Sequence, residues 1–282
     1  MEVGPDREAV AAALRRLRAQ AGLSTYELAA RLGWSQSKVS KMERGQTAAD
    51  PDDVATWARV AGADSSTIAD LVTRAEAAAN QMGTWQAVLG QGVATCQREL
   101  AQINAESTRH REFDPDLIGG LLQTPPYALR VFELADVSGR GKVAEAVAAR
   151  MNRQAILYDP ARSFEFVITE GALRFRMGPR EVMHGQAEKI ISVMQLPNVS
   201  VSAIPFTATP AALFVSGFVI YDLSGGPMVL LELLSREIQL RAKWDVGLYE
   251  ATFARLCDSA VTGRAAENLI RDAMIYELPI QG

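Results

Sequence analysis

The chain is poor in the residues that build metal centres and covalent staples. It has two cysteines, Cys96 and Cys257, and two histidines, His110 and His184, in 282 residues. The cysteines lie far apart without metal-ligand spacing. They read as reduced packing residues of a cytoplasmic protein rather than as a disulfide. Neither histidine has a ligand-spaced companion, so no metal and no cofactor is expected. No run of about 18 apolar residues is present, which predicts no membrane span. Met1 to Val10 carries acids and no apolar stretch, which predicts no secretory signal. No G-x-S-x-G, P-loop or G-x-G-x-x-G sits between a strand and a helix, so the chain is not read as an enzyme.

What is present begins with Leu14 to Gly45, LRRLRAQAGLSTYELAARLGWSQSKVSKMERG. Leu14, Leu17 and Ala21 recur at spacings of three and four, the face of a helix over residues 7–20. Gly22 ends it where a positive φ is often needed. Ser24 with Glu27 forms a capping box for a second helix, whose buried face is Leu28, Ala29 and Leu32. Gly33 makes the turn and Ser35 caps a third helix. Val39 and Met42 point into the core. Gln36, Ser37, Lys38, Ser40 and Lys41 are left for the outside, and Gly45 stops the helix. Two short helices joined by a tight turn, the second with a polar and basic outer face, form the layout of a helix-turn-helix reader of double-stranded DNA.

Charge supports this when divided by region. The whole chain carries −4 with pI about 5.4. From Arg7 to Gly45 there are eight Lys/Arg against three acids, while residues 50–70 carry five acids against Arg59. An acidic body with a basic reading face suits sequence-specific binding, because bulk repulsion disfavours stray contacts.

The segment resembles the Xre/Cro class of phage-repressor helix-turn-helix domains through LRRLRAQAGLS, ELAARLG, SQSKVSKMERG and DPDDVATWARVAGA. That resemblance implies that the third helix enters the major groove. Carried over by position, Gln36, Ser37 and Lys41 face base edges. Lys38, Ser40 and Arg44 face phosphates. Thr25 stands where the class usually has glutamine and takes a phosphate contact with less reach. Arg18 and Glu43 match a pair that forms a structural salt bridge behind the motif. Gln can pair bidentately with adenine, and Lys can reach guanine O6 and N7.

The length suggests two domains. Residues 1–81 read as a mostly α, five-helix DNA-binding domain, closed by helices over 51–61 and 66–81. Residues 82–110 read as a helical connector, with a helix from about Trp85 to Arg109 that either forms a dimer seam or packs on the next domain. Residues 111–282 read as an α+β regulatory and dimerisation domain with a small, largely antiparallel sheet. Its expected helices cover 125–134, 142–157, 180–194, 246–257 and 264–277, with a short helical turn at Glu170 capped by Thr169. Its expected strands cover 164–168, 199–204, 217–223, 228–234 and 237–241, with a hairpin turn at Ser224-Gly225-Gly226. Phe113 to Thr124, FDPDLIGGLLQT, is read as a Pro/Gly-marked lead into the first of those helices. Glu170 and Arg174, one turn apart, either line a pocket or pair with each other. His184 reads as a surface residue and Cys257 as core. Ala211, Leu213, Phe214, Val215, Phe218 and Ile220 divide between sheet core and a ligand rim or dimer surface.

This half resembles the domain of unknown function that follows an Xre-type reader in many actinobacterial regulators. The matching strings are IGGLLQTPPYA, RMNRQAILYDP, FEFVITEGALR, LPNVSVSAIPF and YEATFARLCDSAV. Members commonly have proline before GLLQT, where this chain has Ile118-Gly119. The resemblance implies a transcription regulator, read here as a homodimer, and leaves room for a small partner protein or a small-molecule effector. The alternative it allows is an antitoxin-like module that neutralises a small neighbouring-gene product and represses its own promoter.

Overall fold

A computed structural model describes residues 5–45, 49–79, 81–84, 93–136, 142–233 and 236–275. Two compact units divide the chain: Met1–Met82 with Gln239–Val246, and Gly83–Ile238 with Gly247–Gly282.

Five helices follow one another in the first unit: α1 (Pro5–Gln20), α2 (Thr25–Leu32), α3 (Gln36–Glu43), α4 (Pro51–Val60) and α5 (Ser65–Ala79). Their core is a single cluster in which Leu14, Leu28, Val39, Val54, Trp57 and Ala58 are fully buried. Trp57 places its one polar atom inside that core, its Nε1 donating to the Leu14 carbonyl at 3.2 Å. A buried indole needs such a partner. α4 starts with the Asp50 carboxylate accepting from the Asp52 amide at 2.8 Å and with Pro51 in the first turn, where its missing N–H costs nothing.

Among the described residues the later part of the chain carries seven further helices: α6 (Val93–Glu106), α7 (Pro125–Ala135), α8 (Val143–Arg153), α9 (Glu170–Arg174), α10 (Arg180–Val193), α11 (Lys243–Asp258) and α12 (Gly263–Met274). A 3-10 turn, Gln154–Tyr158, continues α8. The strands are β1 (Gln81–Thr84), β2 (Arg109–Asp114), β3 (Ser163–Thr169), β4 (Val199–Ile204), β5 (Phe218–Leu223), β6 (Gly226–Leu233) and β7 (Arg236–Leu240). The expected helices and strands fall within a few residues of these bounds. Residues 85–92 of the expected connector helix lie outside the described residues, as does the side chain of Cys96. The described helix ends at Glu106 because Arg162 intercepts its last carbonyls. Arg162 donates to the carbonyls of Asn104 at 2.8 Å and Ala105 at 2.9 Å, and also to that of Ser107.

Two expectations are corrected. Residues 109–114 form a strand, β2, rather than the end of a helix and a loop. The sheet is mixed rather than small and largely antiparallel. Its order runs β7-β6-β5-β2-β3-β4, with β2 pairing parallel to β3 and antiparallel to β5. β3 and β4 are also parallel, and β5–β6 is an antiparallel hairpin turned at Ser224-Gly225, with Gly226 at φ +105°. The main core lies around β3 and β4, where Phe166, Ile168, Val201 and Ala203 meet Ile190 of α10 and Ile270 of α12.

The LIGGLLQT stretch is held by side-chain amides rather than by regular structure. Gln123 Nε2 donates to the Ile118 carbonyl at 2.7 Å, Gln186 Nε2 to the Leu122 carbonyl at 2.7 Å, and Gln154 Nε2 to the carbonyls of Gly120 and Gln123. Buried backbone groups outside helix and sheet need such partners, and glutamine supplies both donor and acceptor.

Candidate nucleic-acid interface

The turn between α2 and α3 is built from local chemistry. The Ser24 hydroxyl accepts from the Glu27 amide at 3.2 Å, and the Glu27 carboxylate accepts from the Ser24 amide at 2.8 Å. The Ser24 amide, and after it the Ser24 hydroxyl, hold the Glu27 carboxyl below the usual carboxylate range. Gly33 sits at φ 69°, a left-handed conformation that a Cβ would strain. Ser35 then caps α3, its hydroxyl accepting from the Lys38 amide at 3.2 Å. Val39 and Met42 are buried beneath, so the opposite face of α3 is presented to solvent.

On that face Ser37, Lys41 and Arg44 are exposed and Ser40 is half-buried. Lys41 makes no hydrogen bond or ion pair among the described residues. Arg44 Nε donates to the Ser40 carbonyl at 3.1 Å and keeps the rest of its guanidinium outward. Gln36 Nε2 lies 3.4 Å from Thr25 Oγ1, so these two residues of α2 and α3 share one end of the face. Lys38 is engaged within the fold: its Nζ is 2.7 Å from Asp53 of α4 and 4.0 Å from the centre of the Trp34 ring. Arg18 and Glu43 meet as a bidentate pair at 2.5 and 3.2 Å, and Arg18 also donates to the Leu23 carbonyl at 2.7 Å. The Glu43 bond raises the Arg18 pKa above its ordinary value. The pair ties α1 to α3 and fixes the tilt of the outward face.

Two participants escaped the sequence reading. Asp53, read only as one of an acidic group, is the partner of Lys38. Tyr26 is 73% exposed at the start of α2, next to Thr25. A tyrosine there, two residues after the Ser24 cap and outside the apolar stripe, is a signal that helical periodicity alone could have found.

Among the described residues no group of His, Cys, Asp and Glu is placed to hold a metal ion, and no helix is long and apolar enough to cross a membrane. In the second unit Glu170 and Arg174 pair at 2.7 Å, and the other Glu170 oxygen accepts from the Phe206 amide at 2.8 Å. His184 is exposed, and Cys257 is a free, half-buried thiol whose pKa burial pushes up.

An N-terminal helical array with a capped, αL-turned second and third helix is a helix-turn-helix domain, and residues 9–71 match the family described by that name. Residues 97–272 match the family described as "Domain of unknown function (DUF5753)", and the chain belongs to that family. No curated protein matches. A solved structure described as "Structure of TrmBL2, an archaeal chromatin protein, shows a novel mode of DNA binding" is similar at 11% identity and a TM-score of 0.32. The match covers 65% of this chain, and the chain spans 55% of that one. A likeness that slight says nothing about function.

Proposed function

We propose that the protein is a cytoplasmic, sequence-specific DNA-binding transcription regulator of the Xre type that acts as a homodimer. The single observation that carries this is the outward face of α3, where exposed Ser37 and Lys41 sit over buried Val39 and Met42 on a helix fixed at both ends. In this reading Gln36, Ser37 and Lys41 contact base edges. Thr25, Ser40 and Arg44 contact phosphate, and Lys38 joins them only when it leaves Asp53. One such helix reads a few base pairs, so two readers related by a two-fold axis would bind half-sites roughly 34 Å apart. The second domain supplies the dimer contacts and senses an effector or partner; no catalytic step enters the reading. Supporting it is the loop after β4, where Phe206, Leu213 and Val215 are exposed while Phe218 and Ile220 are core.

The same apolar loop suits the antitoxin-like alternative, in which a small partner protein covers it. Leu213→Asp with Val215→Asp separates the two. Loss of self-association in light scattering supports the dimer. Unchanged self-association with loss of co-purification of the neighbouring gene product supports the alternative. The primary test is selection of bound fragments from genomic DNA at low and moderate salt. Recovery of a two-fold symmetric site is expected; a pool with no enriched sequence refutes the proposal.

A further inference from the structure

The middle of the mixed sheet holds a polar cavity of about 150 Å³. Its wall includes Asn104 of α6, His110, Glu112 and Asp114 of β2, and Arg150 and Arg153 of α8. Glu232 of β6 completes the acidic side. Three of these side chains hold a buried polar atom without a partner: Asn104 Oδ1, His110 Nδ1 and Arg153 Nε. Asn104 is 2% and His110 3% exposed, so neither atom is satisfied by bulk water. A buried polar atom left unpaired carries its desolvation cost uncompensated, and three on residues that line one cavity mark a place where something else supplies the missing bonds.

The chain is shaped to keep this space charged. A Cβ on Gly119 would lie 2.5 Å from Glu112 Oε1 and 2.7 Å from Asp114 Oδ2. A Cβ on Gly120 would lie 2.6 Å from Arg153 Nη2. The paired glycines therefore let the backbone press against both the acids and the guanidinium. The Gly119 amide donates to Asp114 Oδ2 at 3.1 Å, a bond that proline at this position could not make. Glu112 Oε2 lies 2.7 Å from His110 Nε2. Because the carboxylate accepts, Nε2 carries the proton, and in the neutral ring Nδ1 is a free acceptor.

The two arginines differ in what they do. Arg150 is spoken for: its Nη1 donates to Gln123 at 2.6 Å, its Nε to Gln97 at 3.4 Å, and it lies 4.0 Å over the Phe132 ring. Arg153 has no carboxylate within ion-pair distance among the described residues. Glu112 and Asp114 likewise face no bonded cation. A ligand that was only a cation would leave Arg153 unmet, and one that was only an anion would be repelled by the Glu112 carboxylate. A group of each sign on one small skeleton satisfies both sides.

We propose that this cavity binds a small zwitterion of the α-amino-acid class. Its ammonium lies toward Glu112 and the acceptor atoms of Asn104 and His110, and its carboxylate lies on Arg153. The size agrees: a cavity of about 150 Å³ takes benzene, so a ligand of about six to eight heavy atoms fits. Its role as the effector site rests on the regulator reading; its existence as a binding site does not.

The test is titration calorimetry of the intact chain with glycine, L-alanine and L-serine. Ethylamine and propionate serve as one-ended controls. At least one zwitterion is expected to bind, and each control at least about tenfold more weakly, since each forfeits a charge-assisted contact. Arg153→Gln is expected to weaken the zwitterion at least about tenfold. Val219→Phe, which fills the cavity from β5, is expected to abolish binding and decides the matter should Arg153→Gln not fold. Binding of none of the three at millimolar concentration would mean that the space holds water only and would overturn the proposal. So would unaltered affinity in either folded variant, or propionate binding as well as alanine. The readout contains no DNA, so a failed ligand site and a failed reader give separate results.

Discussion

At the scale of single residues, the reading face divides into free and committed cations. Lys41 is free, and its loss tests base reading directly. Lys41→Ala is expected to cost about 1–3 kcal/mol on the selected site and to relax preference at one base pair. Equal losses on selected and random duplexes would move it to phosphate. Arg44→Ala is expected instead to weaken both duplexes alike and to flatten the salt slope by about one unit. Lys38 is committed: Asp53 and the Trp34 ring hold it. Asp53→Asn releases that hold and removes a negative charge beside the helix. Random-duplex affinity should rise, with a salt slope steeper by about one unit. Adding Lys38→Ala should reverse the change in slope. A slope unmoved by Asp53→Asn would show that Lys38 stays away from phosphate. Behind them, Glu43→Ala leaves Arg18, whose side chain is 17% exposed, with only the Leu23 carbonyl. The loss is expected to be about 3 kcal/mol, read as an earlier urea transition of the intact chain. Replacing both partners by apolar residues should recover most of it.

At the scale of elements, α2 and α3 were legible because everything that shapes them is local. A capping box, a glycine at φ 69° and a serine cap lie within a dozen residues, and each states its geometry in its own chemistry. Strand β2 was not legible. Its sequence RHREFD has no apolar alternation, and its charges are answered by residues far along the chain. Arg111 pairs with Asp222 at 2.8 Å and Glu250 at 2.9 Å, and Arg109 pairs with Glu165 at 2.6 Å. With those partners unknown, a strand of charges reads as surface. With them placed, it is central to the sheet and orders β3 and β5 on either side of it. The hidden strand accounts for part of the error in sheet type, since the β2–β3 parallel pairing cannot be inferred once β2 is missed, while the β3–β4 parallel pair was open to reading from its strand-helix-strand order. Its last residue gives a pH prediction. Burial, with the Glu112 carboxylate nearby, raises the Asp114 pKa well above its ordinary value. The folded state then binds more protons than the unfolded state above about pH 4, so this group's contribution to stability falls as pH rises from there through the raised value. Asp114→Asn keeps an acceptor for the Gly119 amide and removes the titration. The variant's melting temperature should gain on wild type steadily as pH rises over that window. A constant difference would show that Asp114 is not the group responsible. Asp159, whose pKa the Ala161 amide and Arg162 lower, acts in the opposite sense in both proteins and cancels in the difference.

At the scale of the whole molecule, a chain carrying −4 has to approach a polyanion. Its cations are concentrated at the reader, so the remaining surface repels the duplex while one face is attracted. Such a molecule loses much of its nonspecific binding and needs another source of affinity. A second reader on the same assembly supplies it: once one half-site is held, the other reader meets its half-site at millimolar effective concentration, which raises affinity by about 10²–10⁴ without any new contact. The chain shortened to residues 1–80 is therefore expected to bind an isolated half-site as well as the intact protein does. On the full symmetric site it should bind about 10²–10⁴ more weakly than the intact protein, and without cooperativity. Random duplex should bind the fragment at least as well, because the acidic remainder is gone. Titrating both proteins against half, full and scrambled sites at one salt concentration gives all three comparisons. Equal affinity of fragment and intact chain for the full site would place the dimer contacts within the reader itself and leave the second domain to its ligand alone.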